Sequence, residues 1–319
     1  MSEQTARFLV TPQWRNERID RFLAANTDIS RRGVRRLIAE GLVQCNGKVL
    51  RVQSRIVAVG DVIDIDQPSA DIGAPDRPSR SSSSDHLPAA AGEVVILHQD
   101  RWLLVASKPA GVLSQPAEHG LPGELAFDQQ VLLHLAVGEG RRPFLRLVHR
   151  LDRMTSGAVL FARHPDALPA LTRAWSEEQV ERHYLAVIEG LPEFDATEID
   201  LSIARDRSHT WRFRTSQAGK AARTRVEVLA RLEHDLSLVR CQLITGRTHQ
   251  VRVHLADAGH PVLGDRLYGS RRATSARRPL LHAASISLPH PAAGERLRVD
   301  CPLPDDMEAY VPEGLDLRY

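Results

Sequence analysis

The sequence predicts an α+β chain in two parts. One is a small α+β module at the N-terminus. The other is a larger domain with a largely antiparallel mixed sheet flanked by helices. Three observations carry this. The 319 residues are comfortable for two domains. Residues 68–92 are rich in Pro, Ser, Ala and Gly and nearly lack large apolar side chains, so they read as a flexible linker between residues 1–67 and 93–319. Beyond the linker, strand signals come in adjacent pairs rather than alternating with helices, which favours antiparallel pairing over a doubly wound fold.

In the first part, Arg18 to Asn26 carries Ile19, Phe22 and Leu23 at helical spacing. Ser30 suits the N-cap of a second helix, whose apolar face is Val34, Leu37 and Ile38 and whose end is Gly41. Arg31 and Arg35 lie one turn apart, as do Arg32 and Arg36, giving a basic ridge away from the core. Leu42 to Cys45 and Lys48 to Leu50 flank Asn46-Gly47, a strong hairpin turn. Gly60-Asp61 then turns the chain into Val62 to Ile65.

In the second part, Val94–His98 and Trp102–Ala106 read as a hairpin. Strands are expected over Ala158–Arg163, Val180–Ile188, Arg225–Leu232, Leu236–Ile244, Leu280–Leu288 and Arg296–Asp300. Helices are expected over Glu124–Ala136, Pro165–Glu178 and Thr248–Ala258, the last with Val251, Leu255 and Ala258 on one face.

Composition excludes several classes. No apolar run is long enough for a membrane span, and the start lacks a secretory pattern, so a cytoplasmic protein without membrane contact is expected. Cys45, Cys241 and Cys301 are far apart and form no CxxC pair. They read as buried thiols rather than a disulfide framework or metal site. His249 and His254 are five apart and no HExxH is present, so no metal is expected. Phosphate-binding glycine loops and a GxSxG elbow are also absent. Net charge is only +2, yet arginines crowd residues 31–36, 141–153 and 271–278, and such local clusters suit RNA phosphates.

The chemistry points to His149-Arg150-Leu151-Asp152-Arg153-Met154-Thr155-Ser156-Gly157. Arginines flank Asp152 and favour its charged form, which a nucleophile needs. Hydroxyls and a glycine follow, ahead of a buried strand.

This run resembles the signature of the RluA-type RNA pseudouridine synthases, and further blocks follow in that family's order. Lys108-Pro109-Ala110-Gly111 precedes it. Arg182-His183-Tyr184-Leu185-Ala186, Gly219-Lys220-Ala221-Ala222-Arg223-Thr224 and Thr245-Gly246-Arg247-Thr248-His249-Gln250-Val251-Arg252-Val253-His254 come after it. Gly264-Asp265-Arg266-Leu267-Tyr268-Gly269 and Leu281-His282-Ala283 complete the series. Residues 16–66 resemble the small RNA-binding module first described in a small-subunit ribosomal protein. Two departures stand out: Ser114-Gln115-Pro116 where many relatives have His-Pro, and Arg182 where many have lysine.

The resemblance implies a pseudouridine synthase fold and isomerisation of uridine in structured RNA without a cofactor. It implies Asp152 as the catalytic aspartate, Tyr184 as the tyrosine stacking on the base, and Arg247 as the arginine ion-paired with the aspartate. Arg150 would fill the space left by the flipped uridine, and Leu281 would touch the base. Arg31, Arg32, Arg35 and Arg36 would hold RNA. Ribosomal RNA is the expected partner, tRNA the second, and a monomer the expected form. Asp152 can attack either ribose or base, since both routes hold one fragment on the enzyme. The other reading is a non-catalytic RNA-binding or ribosome-assembly protein with the same fold. Intact Asp152, Tyr184 and Arg247 favour the enzyme.

Overall fold

The Asn46-Gly47 turn has φ of 53° and 74°, the two left-handed residues that a tight hairpin requires. It joins β2 (Val43–Cys45) to β3 (Lys48–Val49). We describe the fold from a computed structural model, in which residues 4–67, 93–117, 124–272 and 276–317 are described. The expected linker over 68–92 lies outside the described residues.

The chain forms two compact units, residues 1–94 with 115–145, and residues 95–114 with 146–319. In the first unit a four-stranded antiparallel sheet runs β1-β4-β2-β3, with β1 at Gln4–Leu9 and β4 at Val62–Gln67. Strand β1 is not among the elements expected from the sequence. Helix α1 (Ile19–Asn26) and α2 (Arg31–Glu40) bury Ile19, Phe22, Leu23, Val34, Leu37 and Ile38 in one core. Ser30 Oγ accepts from Gly33 N at 3.2 Å, and Gly41 ends α2 at φ 78°. Helix α3 (Phe127–Glu139) also belongs to this unit, where Leu133 and Ala136 pack on Leu9 and Val62. This helix is expected in the second part, because no sequence signal says which core its apolar face meets.

The basic ridge is only partly free. Asp20 is fully buried and accepts from Arg18 Nε at 3.0 Å, Arg31 Nη2 at 3.1 Å and Arg35 Nε at 2.9 Å. Two of the four ridge arginines therefore have a structural task. Burial alone would raise the Asp20 carboxyl; hydrogen bonds from Arg18, Arg35 and Arg31 outweigh it and hold the group below the usual carboxylate range. Since the folded value is the lower one, the stabilisation is complete above the unfolded value of about 3.9 and drains as pH falls below it. Asp20→Asn should cost about 1–3 kcal/mol near pH 7. Denaturant unfolding against pH should show the gap to wild type closing below pH ~4. A pH-independent gap would contradict the assignment.

The second unit is built on a ten-stranded sheet. Its elements are β5 (Val95–Gln99), β6 (Leu103–Lys108), β7 (Arg146–Leu147), β8 (Ser156–Ala162), β9 (Glu181–Glu189), β10 (Ala196–Asp200), β13 (Arg223–Leu232), β14 (Leu236–Leu243), β15 (Leu281–Pro289) and β16 (Arg296–Asp300). The order is β10-β13-β14-β9-β15-β8-β6-β5, with β16 on β15 and β7 on β8. A separate ribbon pairs β11 (Ile203–Arg205) with β12 (Phe213–Thr215). Helices α4 (Ala167–Ser176), α5 (Gln250–Asp257) and α6 (Asp305–Glu308) complete the unit. The α+β class and the antiparallel pairing are as expected.

One joint is parallel, β8 with β15, where His282 faces Ser156 and Ala283 faces Gly157. Gly157 has φ 124°, and a methyl carbon there would lie 2.5 Å from Ala283 N and closer still to its carbonyl oxygen. Only glycine allows this approach. Ser156 Oγ and His282 Nδ1 close the same joint at 2.9 Å. Gly157→Ala should destabilise the unit by about 3 kcal/mol or more, combining strain with a backbone clash. Denaturant unfolding measures this, and a loss under about 1 kcal/mol would contradict it.

The cysteines are free and buried, as read. Among the described residues no helix is long and apolar enough to cross a membrane, and no group of three or more His, Cys, Asp or Glu could hold a metal ion.

Candidate active site

The loop between β7 and β8 carries Asp152, and its shape is set by backbone contacts. Thr155 N donates to Asp152 O at 3.1 Å, closing a turn. Ser114 Oγ, buried, donates to Leu151 O at 2.8 Å and accepts from Leu151 N at 3.0 Å. Lys108 Nζ, fully buried, donates to Pro109 O, Val112 O and Arg153 O at 2.9, 2.8 and 3.2 Å. Burial pulls this ammonium down to about 7, against the charge of Asp152. Lys108 and Ser114 thus fix the residues on either side of Asp152. The departure noted at Ser114 keeps a structural hold on the loop.

Asp152 opens on a cavity of about 300 Å³ lined by Arg150, Tyr184, Leu281, Trp175, Arg182, Arg252 and neighbouring residues. Its carboxylate is a quarter exposed, with 24% of the side-chain surface accessible. Arg252 Nη1 reaches Asp152 Oδ2 at 3.2 Å. Arg252 also grips Asp265 through Nε and Nη2, at 2.7 and 2.9 Å, and lies 5.0 Å over the Tyr268 ring. Burial lowers the Arg252 guanidinium, and the two carboxylates, Asp265 foremost, more than restore it.

The expected ion pair from Arg247 is therefore corrected: the cation on Asp152 is Arg252. The reason lies in the turn before α5. His249 takes a left-handed φ of 58° and caps the helix, which starts at Gln250, two residues later than expected. Gln250, almost fully buried, accepts from Arg247 N and Thr245 Oγ1 at 2.9 and 2.8 Å. It donates to Arg223 O and Thr224 Oγ1, both at 2.9 Å. Arg247 stays in this turn, exposed at the cavity rim, with Nε on Ala221 O at 2.9 Å. Arg252 lies in the first turn of the helix and faces inward.

His249 joins the group. Its Nδ1 lies 2.8 Å from the Tyr268 hydroxyl, which accepts from Phe213 N at 3.0 Å, and its Nε2 is 3.8 Å from Asp152 Oδ2. Arg252, His249, Asp265 and Tyr268 are not among the site residues expected from the sequence. The blocks containing them were the only signal.

Tyr184 is buried on β9, facing Cys241 of β14 and Ala283 of β15 in register. Burial pushes its phenol up to about 12, against the charge of Arg182 and aided by that of Asp152, so it is a neutral hydroxyl at physiological pH. Leu281 is buried at the start of β15 and presents an apolar wall. Arg150 is exposed at the rim. The structure thus gathers Arg150, Asp152, Tyr184, Arg247 and Leu281 around one cavity. Arg31, Arg32, Arg35 and Arg36 belong to the other unit.

A cavity with a carboxylate backed by a buried arginine, an aromatic face and an apolar wall suits covalent chemistry on a planar ring. Comparison with known proteins gives the class. The family described as RNA pseudouridylate synthase matches residues 102–257, and the S4 domain matches residues 17–63. An uncharacterized RNA pseudouridine synthase of Bacillus subtilis, YlyB, is 34% identical over 296 residues, covering 92% of both chains. The chain belongs to the RNA pseudouridine synthase family, enzymes that isomerise uridine in RNA. A named relative is the ribosomal large subunit pseudouridine synthase C of Escherichia coli (strain K12), 33% identical over 310 residues, 94% of this chain and 93% of that one. Among solved structures, human RNA pseudouridylate synthase domain containing 1 is similar at TM-score 0.56 and 27% identity, covering 67% of this chain and 85% of that one.

Proposed function

We propose that the enzyme converts specific uridines of large-subunit rRNA to pseudouridine, with Asp152 as nucleophile. The observation that carries the chemistry is the Asp152 carboxylate, open to the cavity and paired with Arg252 at 3.2 Å. A uridine stacked in RNA must be extruded to reach it. Arg150 at the rim takes the vacated place in the stack. Tyr184 and Leu281 hold the ring between an aromatic and an apolar wall. Asp152 then retains one fragment covalently while the base turns and rejoins through carbon 5. Arg247, exposed at the same rim, is available to phosphate.

The choice of rRNA rests on likeness to the large-subunit enzyme of Escherichia coli and on the S4 domain. It implies cytoplasmic work, and we propose a monomer. Gel filtration should show a single chain of 35.5 kDa; a stable dimer would contradict that. Purified enzyme should form pseudouridine in transcribed large-subunit rRNA fragments and none in tRNA transcripts. Turnover confined to tRNA would overturn the choice of substrate.

Arg32 and Arg36 are the cleanest probes of the S4 helix, because Arg31 and Arg35 also hold Asp20. Among the described residues Arg36 has one ion pair, at 3.7 Å to exposed Glu40. Replacing both with Gln should weaken RNA binding at low salt and reduce the slope of log affinity against log salt by about 1–2. An unchanged slope would show that this ridge does not meet phosphate.

A further inference from the structure

Burial pulls the Arg182 guanidinium down and outweighs the opposing influence of Tyr184 and of the Glu178 charge. Its side chain is over nine-tenths buried, with 8% of its surface accessible, and it lines the Asp152 cavity. Nη2 donates to Leu243 O at 3.3 Å and Thr245 O at 3.2 Å. Nε is buried without any hydrogen-bond partner. No carboxylate lies within ion-pair distance of it among the described residues. The guanidinium sits 4.8 Å over the Trp175 ring, and His149 stacks on the same ring at 4.9 Å. Burial, then the Arg182 charge, pushes His149 down to about 3, so it stays neutral and adds no second charge. Gly246 makes room, since a side-chain carbon there would lie 2.8 Å from Arg182 Nη1.

A buried cation with no carboxylate at ion-pair distance is costly unless a partner arrives. Arg182 and Tyr184 are two residues apart on β9 and so project from one face of the sheet. The partner must enter the cavity, which excludes backbone phosphate passing over the surface and leaves the base. We propose that Arg182 is a further catalytic residue, donating to the ring carbonyl oxygens of the flipped uracil and stabilising the negative charge that develops there. This rests on the reading that the Asp152 cavity isomerises uridine.

The charge follows from the reaction. When the N1–C1′ bond breaks, its electron pair goes to N1, and the ring carries one negative charge spread over N1, O2 and O4. In this route an ester between Asp152 and C1′ forms as N1–C1′ breaks, and it breaks again as C5 attacks C1′ and frees the carboxylate; the proton on C5 then leaves and N1 gains a proton, so bonds and protons balance. If Asp152 adds to the ring first, the electron pair displaced from the C5–C6 bond also places negative charge on the O4 side. Either route leaves a ring anion beside a fixed cation. Preorganised donors aimed at developing charge are effective because they need no reorganisation.

The test is single-turnover isomerisation at saturating RNA. Arg182→Gln should slow uridine by about 100-fold or more, with RNA affinity little changed. Arg182→Lys, which keeps the charge, should retain the rate within about tenfold. RNA carrying 5-fluorouridine at the target forms a better-stabilised ring anion, so consumption of that base should show a loss at least several-fold smaller for Arg182→Gln. Inactive protein cancels from this comparison, because both substrates meet the same preparation. An equal loss on both substrates, a loss in affinity alone, or a folded but inactive Arg182→Lys would overturn the proposal. Wild-type turnover with a silent Asp152→Asn enzyme upholds the underlying reading whatever Arg182 does; failure of that control overturns the reading itself, and the Arg182 proposal with it.

Discussion

Asp152→Asn should bind RNA as tightly as wild type and form no pseudouridine. The amide keeps the size and planarity of the carboxylate but is a very poor nucleophile, so the expected loss is about four orders of magnitude or more. The fold should hardly notice. Asp152 is partly exposed, and its backbone is held by Thr155 N, while Ser114 holds its neighbour Leu151. Stability should stay within about 1 kcal/mol. Single-turnover rates, RNA gel shifts and denaturant unfolding measure the three quantities. Turnover within about tenfold of wild type would remove Asp152 from the chemistry.

The second large effect separates two arginines. Arg252→Gln leaves Asp265 buried without its cation and Asp152 without its partner. Breaking a buried pair costs about 3–5 kcal/mol, and turnover should also fall about 100-fold or more. Arg247→Gln removes an exposed side chain whose Nε bonds a single carbonyl. Its rate at saturating RNA should stay within about threefold, and its stability within about 0.5 kcal/mol. The opposite ranking would restore Arg247 as the partner of Asp152.

The swap between these arginines shows where sequence reading stops. Both sit in one block, five residues apart, and nothing in composition says which turns inward. The difference is made by the left-handed backbone at His249 and by four hydrogen bonds to Gln250. Periodicity misled in the same place. Val251 and Leu255 are buried as read, but Arg252, Val253 and His254 are buried too, and Ala258 is exposed beyond the helix end. A helix buried on every side has no periodic signature.

Local signals read well elsewhere. Ser30, Gly41 and Asn46-Gly47 act where their side chains and backbone freedom predict. Strands β5, β6, β8, β9, β13, β14, β15 and β16 lie within about two residues of the bounds expected from their apolar runs. The short ribbon β11–β12 and the edge strands β1 and β10 were not legible, being brief or stabilised by distant partners. Ser114 and Arg182 were noticed only as departures from a pattern. Their contacts, one to the backbone of Leu151 and one to Trp175, span 37 and 7 residues and exist only in the folded chain.

The most direct measurement is a map of pseudouridine in total RNA from cells with and without the gene. Deletion should erase one or more sites in large-subunit rRNA. Wild-type enzyme should restore them, and the Asp152→Asn enzyme should not. A map in which no RNA loses any site, or in which the Asn variant restores the lost ones, would contradict the account.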